Sequence, residues 1–318
     1  MFDAMRKIIS LTAKLSDAHG LSEWRQYRYN IRQIKKHQRI AQLSKRGGGK
    51  TEAAKQKKQA KIIEVHQQYL DLSQYFLGKA EETIKTLKAK GLATMTEDLQ
   101  AIEIEEYKHY AERQIDQIRR RIMGGEKIPH AEKVFSIFQP HTEWIVKGKA
   151  GINQELGLRV CIIEDQYRFL LHHQVMENQT DSQVAVSMVE EAKSRFNDLS
   201  SCSFDKGFHS PGNQIQLAKI LDSVALPHKG KPSKKVREKE ASADYQKAHD
   251  KHSAVESAIN ALEVHGLNRC PDHGIDGFKR YVGLSIVARN IQRIGSILTD
   301  QARIRSERQQ RKRLKLAA

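Results

Sequence analysis

The chain has 318 residues, enough for a sizeable core and one to three domains. Its 55 Lys+Arg against 38 Asp+Glu leave a formal net charge of +17, an excess that points to a polyanionic partner, with nucleic acid ahead of a membrane surface. There is no apolar run of about 18 residues and no basic region leading into an apolar core at the start, so neither a membrane span nor a secretory leader is expected and a cytoplasmic protein is.

In residues 2–16, Phe2, Met5, Ile8, Ile9 and Leu15 fall at helical spacing with no capping residue ahead of them. The chain is thus expected to open inside a helix. A second helix is predicted from Ser22, with Trp24, Tyr27, Ile31 and Ile34 on its apolar face. Arg25, Arg28, Arg32, Lys35, Lys36 and Arg39 are interleaved with them. That basic face is either a solvated surface or a contact surface for DNA phosphates, and the two are compatible. Residues 45–61 are basic and broken by glycine. Gly49-Lys50-Thr51 lacks the earlier glycine of a phosphate-binding loop, since Ser44 stands there, and follows helix instead of strand. A hinge is the better reading. Residues 58–88 and 95–123 read as long amphipathic helices of near-heptad spacing. The first carries Ile62, Val65, Tyr69, Leu72, Phe76, Ile84 and Leu87, the second Leu99, Ile102, Tyr107, Ile115, Ile118 and Ile122. Gly91 as a stop and Thr94 with Glu97 as a capping box predict an antiparallel pair joined by a short turn.

After Gly124-Gly125 and Pro129 the character changes. Lys147-Gly148-Lys149 makes a basic loop. Residues 156–163 and 169–176 read as two strands around a turn at 164–168. Residues 181–196 read as a helix burying Val184, Met188, Val189, Ala192 and Phe196. A short strand then runs into Asp205, and Ser210 with Pro211 marks a helix start. Val224 to Pro227 is another short strand, and the loop 228–240 is strongly basic through Lys229, Lys231, Lys234, Lys235, Arg237 and Lys239. Residues 241–264 are helical and carry Glu256. The last helix, from about 277 to 300, is expected to place Phe278, Tyr281, Leu284, Ile291, Ile294 and Leu298 on one face, followed by a basic tail. This order is most of an α/β layer fold.

Asp205 at a strand tip and Glu256 on a helix about 50 residues later are a plausible half-set for phosphodiester chemistry. Such chemistry uses divalent ions held by carboxylates. Ordinary surface carboxylates are the competing reading. Cys270-Pro271-Asp272-His273 has zinc-like spacing, but only Cys202 and His209 are credible partners, and a zinc site is not adopted. Cys161, Cys202 and Cys270 are an odd, sparse set and are expected to be buried thiols.

The stretch Ser203-Phe204-Asp205-Lys206-Gly207-Phe208-His209-Ser210-Pro211-Gly212-Asn213 resembles the second-Asp motif of bacterial insertion-sequence DDE transposases, nearest to the group ISNCY. His252-Ser253-Ala254-Val255-Glu256-Ser257-Ala258-Ile259-Asn260, continuing to Gly266, Arg269 and Cys270, resembles their Glu motif. Gly277 to Tyr281 and Ala288 to Ile291 are similar to their closing helix, as are Phe138 to Trp144, Lys147 to Gly151 and Glu155 to Gly157 to intervening segments. The resemblance covers nearly the whole chain. It implies an RNase H-like core at 129–300, a large helical insertion at 1–128 and a basic tail at 301–318. It implies a metal site for two Mg²⁺, with Mn²⁺ as a substitute, and DNA cleavage and strand transfer at element ends in the bacterial nucleoid. Asp205 is carried over as the second carboxylate and Glu256 as the third, both catalytic and metal-binding. The first Asp of the family lies on a core strand ahead of a segment like Phe2-Asp3-Ala4-Met5-Arg6, so the core is expected to be incomplete and activity impaired. The DNA contacts expected are Arg25, Arg28, Arg32, Lys35, Lys147, Lys149, Lys229, Lys231, Lys234 and Lys235. The partners implied are terminal repeats, target DNA and a second copy of the chain. The alternative is a DNA-binding remnant without catalysis that occupies element ends or inhibits intact transposase.

Overall fold

The computed structural model describes residues 1–48, 50–91, 94–146 and 154–317, with every side chain among them except those of residues 253, 254 and 312–317. The chain is mixed α/β, mostly helical with small sheets. It divides into two compact units, Met1–Pro140 and His141–Ala318.

The first unit is helical: α1 (Phe2–Ala18), α2 (Tyr27–Ser44), α3 (Glu52–Lys90) and α4 (Met95–Ile122). Helix α1 is its axis. Ala4, Met5, Ile8, Ile9, Leu11, Thr12, Ala13, Leu15 and Ser16 are all buried, so α1 is enclosed on most of its circumference by α2, α3 and α4. A helix apolar nearly all round belongs inside a bundle, not on its surface. A Schellman turn ends it: Gly20 N–H donates to Asp17 C=O at 3.0 Å and Leu21 N–H to Ser16 C=O at 2.9 Å. Gly20 sits at φ 69°, a left-handed conformation that glycine adopts without strain. Trp24 is fully buried in the turn before α2, which starts at Tyr27 and not at Ser22. Its indole N–H donates to Thr83 Oγ1 at 3.0 Å, so this turn is fixed by a tertiary bond to α3 that local periodicity does not report. Thr94 and Glu97 make the reciprocal capping box of α4. On α4 the buried positions are Ala101, Ile104, Ala111 and Ile115, while Leu99 and Ile102, expected on the packed face, are exposed. Small alanines let α4 approach α1 closely, and that rotates the larger side chains of its first turns outward.

The second unit begins with a hairpin of β1 (Glu143–Val146) and β2 (Gln154–Gly157), in which Trp144 faces Leu156. The predicted strand 156–163 is therefore two strands. Its second part, β3 (Arg159–Glu164), pairs antiparallel with β4 (Leu170–Met176). Asp165 Oδ1 accepts from the N–H groups of Tyr167 and Phe169, both at 2.8 Å, and fixes the connecting turn. Helix α5 (Asp181–Arg195) leads to β5 (Ser201–Ser203), α6 (Pro211–Ile220) and β6 (Ser223–Ala225). The strands β5 and β6 are parallel, with Ser201 opposite Ser223 and Ser203 opposite Ala225. Helices α7 (Lys234–Glu240), α8 (Ala243–Leu262) and α9 (Gly274–Ala317) complete the unit.

Alternation along β3 sets the layers. Cys161 packs with Met176, Val184 and Met188 of the α5 side, whereas Val160 and Ile162 pack with Ala258, Leu262, Val282 and Ile286 of α8 and α9. Helices thus cover both faces of the hairpin. On α9 the packed row is Phe278, Val282 and Ile286, and Asn290 brackets Leu170 by accepting from its N–H at 2.9 Å and donating to its C=O at 3.0 Å. Leu284, Ile291, Ile294 and Leu298 point to solvent, which corrects the expected face. Phe196 is likewise at the surface, as the capping residue after α5.

Ile8→Ala removes a side chain with no exposed surface and is expected to destabilise the helical unit by about 2–5 kcal/mol in chemical denaturation followed by circular dichroism. Leu99→Ala, at a 56% exposed position, is expected to change it by less than about 0.5 kcal/mol. Equal costs would return Leu99 to the packed face.

Candidate functional site

Parallel strands present their carboxyl ends on one edge, and in this chain Asp205 follows β5 and His228 lies just beyond β6 there. Asp205 follows β5 immediately, after Phe204 N–H has donated to Ala225 C=O at 2.9 Å. The segment from Asp205 to Asn213 is held by its own caps. Ser210 Oγ accepts from Asn213 N–H at 3.1 Å, with Pro211 in the first turn of α6. The Asn213 amide, nearly buried, donates to Ser182 C=O at 2.7 Å and to Phe208 C=O at 2.8 Å, tying the segment to the first turn of α5. A Cβ at Gly207 would lie 2.6 Å from Asp181 Oδ2, so only glycine lets the turn pass that carboxylate without displacing it.

His252, on α8, connects two parts of this edge. Its Nε2 lies 3.1 Å from Asp205 Oδ1 and its Nδ1 lies 3.1 Å from Ser203 Oγ. A carboxylate only accepts, so Nε2–H donates to Asp205, and in the neutral ring Nδ1 accepts from the Ser203 hydroxyl. The ring is 18% exposed and the Asp205 side chain 71%, so the carboxylate faces solvent from a sheltered support. Glu256 lies four residues after His252, one turn or about 6 Å along α8 on the same side, and is exposed. Sequence reading singled out Asp205 and Glu256 and passed over Ser203 and His252. The available signal was the i, i+4 spacing of His252 and Glu256.

Beside this line stands a histidine pair. His228, just beyond β6, has Nδ1 3.1 Å from His209 Nε2, and its backbone N–H donates to Glu240 Oε1 at 2.8 Å. Burial, then the charge of His228, pulls His209 below the usual imidazole range. Cys202, next to Ser203, has its thiol pushed up to about 12 by burial, which favours the neutral thiol.

Asp205 and Glu256 are hard oxygen donors of the kind magnesium favours. Among the described residues, no three His, Cys, Asp or Glu side chains come together in a group able to hold a metal ion. The expected DNA contacts fall in two places. Arg25 precedes α2 and Arg28, Arg32 and Lys35 lie along it; all four are exposed and form no ion pair among the described residues. Lys229 and Lys231 lie in the loop after β6, and Lys234 and Lys235 open α7; these too are exposed. Lys147 and Lys149 lie outside the described residues. Among the described residues no helix is long and apolar enough to cross a membrane. No protein-family model, no curated protein and no solved structure matches the chain.

Asn213→Ala leaves two sheltered carbonyls, of Ser182 and Phe208, without their donor. The expected loss is about 1–3 kcal/mol of stability, measured by urea titration. A loss below about 0.5 kcal/mol would mean that water replaces the amide and that Asn213 does not position the Asp205 segment.

Proposed function

We propose that the chain is a DNA-processing protein of the DDE transposase kind, with an RNase H-like second unit and its chemistry at Asp205 and Glu256. The observation that carries this reading is the His252 bridge. The residue one turn before Glu256 bonds the Asp205 carboxylate, so the two acidic residues quoted in the two resembling motifs belong to one neighbourhood. The element order supports it as well. A hairpin, a helix, a strand ending in Asp, a helix, a parallel strand and a helix bearing Glu follow one another as in such a core. In that core a further strand lies between the hairpin and the Asp strand. Here the β3–β4 and β5–β6 pairs share no ladder hydrogen bonds.

His252 fixes the Asp205 carboxylate by one oxygen and leaves the other open to solvent. Glu256 presents a second carboxylate from a rigid helix. A divalent ion held there, Mg²⁺ or Mn²⁺, would supply charge stabilisation to a phosphodiester. The lysines of the 228–240 segment and the arginines of α2 supply phosphate contacts that hold DNA without reading its sequence. A second reading, DNA binding without cleavage, is favoured by one observation: no third ligand joins Asp205 and Glu256 among the described residues.

Incubation of the whole chain with labelled duplex carrying element ends, in Mg²⁺ or Mn²⁺, separates the two. Transposase chemistry predicts metal-dependent nicking that Glu256→Ala abolishes. Binding alone predicts complexes without nicking, indifferent to Glu256→Ala. In both, the joint change Arg28→Gln, Arg32→Gln and Lys35→Gln is expected to lower the slope of log K against log salt by about 2–3. Absence of salt-sensitive DNA binding would overturn both.

A further inference from the structure

Helix α9 is packed on one side only. Phe278, Val282 and Ile286 form a row that packs against β4 and α8. The opposite side carries Leu284, Val287, Ile291, Ile294 and Leu298, which are between 48% and 68% exposed. These five alternate in steps of three and four residues, as the a and d positions of a coiled coil do. The apolar row of a straight helix drifts away from such a period, so a strict seam of this kind fits a second helix wound along it. Beyond the seam every residue from Gln301 to Arg311 is exposed. An unpacked helical end gains little from propensity alone, because most helical stability comes from tertiary packing.

The flanks of the seam say what kind of helix it takes. Ala288, Gly295 and Ala302 line one side at seven-residue intervals, and Asn290, Ile297 and Ile304 line the other. None is charged, so the flanks offer no ion pairs to an acidic partner helix and do not repel another copy of themselves. The small residues on the first side let a partner backbone approach closely, and a Cβ on Gly295 meets nothing within 4 Å in the single chain. Charge then sets the direction. Past the seam Arg305 and Arg308 take the next a and d places, and Glu307 is the only acid in residues 301–318. Two parallel copies would stack these arginines on themselves. Two antiparallel copies keep them apart and bring each basic end toward the start of the other α9, where Asp276 makes the first turn acidic. Arg280, at the d place ahead of Leu284, is neutralised by Asp272 at 3.0 Å. The five side chains expose about 500 Å² in each copy, so a pair buries about 1,000 Å² before its flanks are added, the lower end of the range for a specific dimer.

We propose that two copies of the chain pair through this seam, α9 antiparallel to α9, about a two-fold axis between Ile291 and Ile294. In that register Ile291 meets Ile294 of the second copy, Val287 meets Leu298, and Leu284 meets Gln301. The surface is self-complementary, as a two-fold interface must be. The pairing stands on α9 and not on the chemistry proposed for Asp205 and Glu256, and its test reads mass instead of nicking.

Sedimentation velocity of the whole chain, stripped of nucleic acid at high salt, tests it over a concentration series. A reversible dimer with a Kd in the micromolar range is expected, as suits an interface of this size. Ile291→Glu, which puts a charge in the middle of the seam, is expected to raise that Kd at least about tenfold. Gly295→Gln meets no neighbour in the single chain and favours helix, so it leaves the fold intact. It holds the two backbones apart and is also expected to raise the Kd about tenfold. Leu99→Glu, at an exposed apolar position of the helical unit, is expected to leave it unchanged. Under mild oxidation the double variant Leu284→Cys, Gln301→Cys is expected to give a disulfide-linked dimer that neither single variant gives. The proposal is overturned if the chain stays monomeric throughout the series, which would leave the seam to another occupant. It is equally overturned if the dimer is indifferent to both Ile291→Glu and Gly295→Gln, or if Leu284→Cys alone cross-links, which would mean a parallel pair.

Discussion

The β3–β4 hairpin and the parallel β5–β6 pair exchange no ladder hydrogen bonds, so the second unit depends on the helices that pack on both. On one side α5 does this with adjacent residues. Val184 and Met188 lie against Cys161 and Met176 of the hairpin, while Val189 joins Phe204, Leu217, Leu221 and Leu226 around β5 and α6. On the other side α8 does it with two kinds of contact. Ala258 and Leu262 pack apolar against Leu170 of β4, and His252 hydrogen-bonds Ser203 and Asp205 at β5. Side-chain packing is non-directional and tolerates small shifts. The His252 bonds are directional, so they set where the carboxyl edge of β5 stands relative to α8.

The helical unit solves a different problem. Its central helix is buried on nearly every side, and it carries Thr12 and Ser16, both without exposed surface and with hydroxyls unpartnered among the described residues. Small side chains at Ala4, Thr12, Ala13 and Ser16 let neighbouring helices approach the axis of α1, and the two hydroxyls are a cost of that closeness. Trp24 packs against Phe76 of α3 with ring centroids 6.2 Å apart, with Lys79 over the indole at 4.7 Å. Long helices braced at one central element leave room between them elsewhere, and a cavity lined in part by Tyr69 is such a place.

Much of the local structure was legible because its signals act over a few residues. Thr94 and Glu97, Ser210 and Pro211, and Gly91 mark helix ends through bonds and backbone preferences within one turn. The placement of Asp205 just after a strand and of Glu256 on a helix was legible too, since a short apolar run ends at Asp205 and helical spacing runs through Glu256. What failed was whatever depends on a neighbour far along the chain. Leu284, Ile291, Ile294 and Leu298 have the spacing of a buried seam, yet α9 packs through Phe278, Val282, Ile286 and Asn290 because Leu170 of β4 offers its backbone to Asn290. The strand at 156–163 divides because Trp144 and its neighbours recruit residues 154–157 into a separate hairpin, a pairing no window around residue 157 contains. The roles of Ser203 and His252 exist only once β5 and α8 are brought together.

The two basic surfaces follow from the same asymmetry between local and distant forces. Arg28, Arg32 and Lys35 fall on one exposed side of α2 because Ile34 and Ala41 occupy the buried one. Lys229, Lys231, Lys234 and Lys235 are exposed because the chain between β6 and α8 is held chiefly at its ends, by the His209–His228 pair, the Glu240 bond to the His228 N–H, and the Ser242 cap of α8. Phosphate contacts need reach and charge more than precise geometry. Asp205 is the reverse case, its carboxylate oriented by a directional bond from a sheltered ring. One chain thus places cations without ion pairs among the described residues on its surfaces and a carboxylate oriented by His252 at a strand tip, and the difference lies in what each side chain is bonded to.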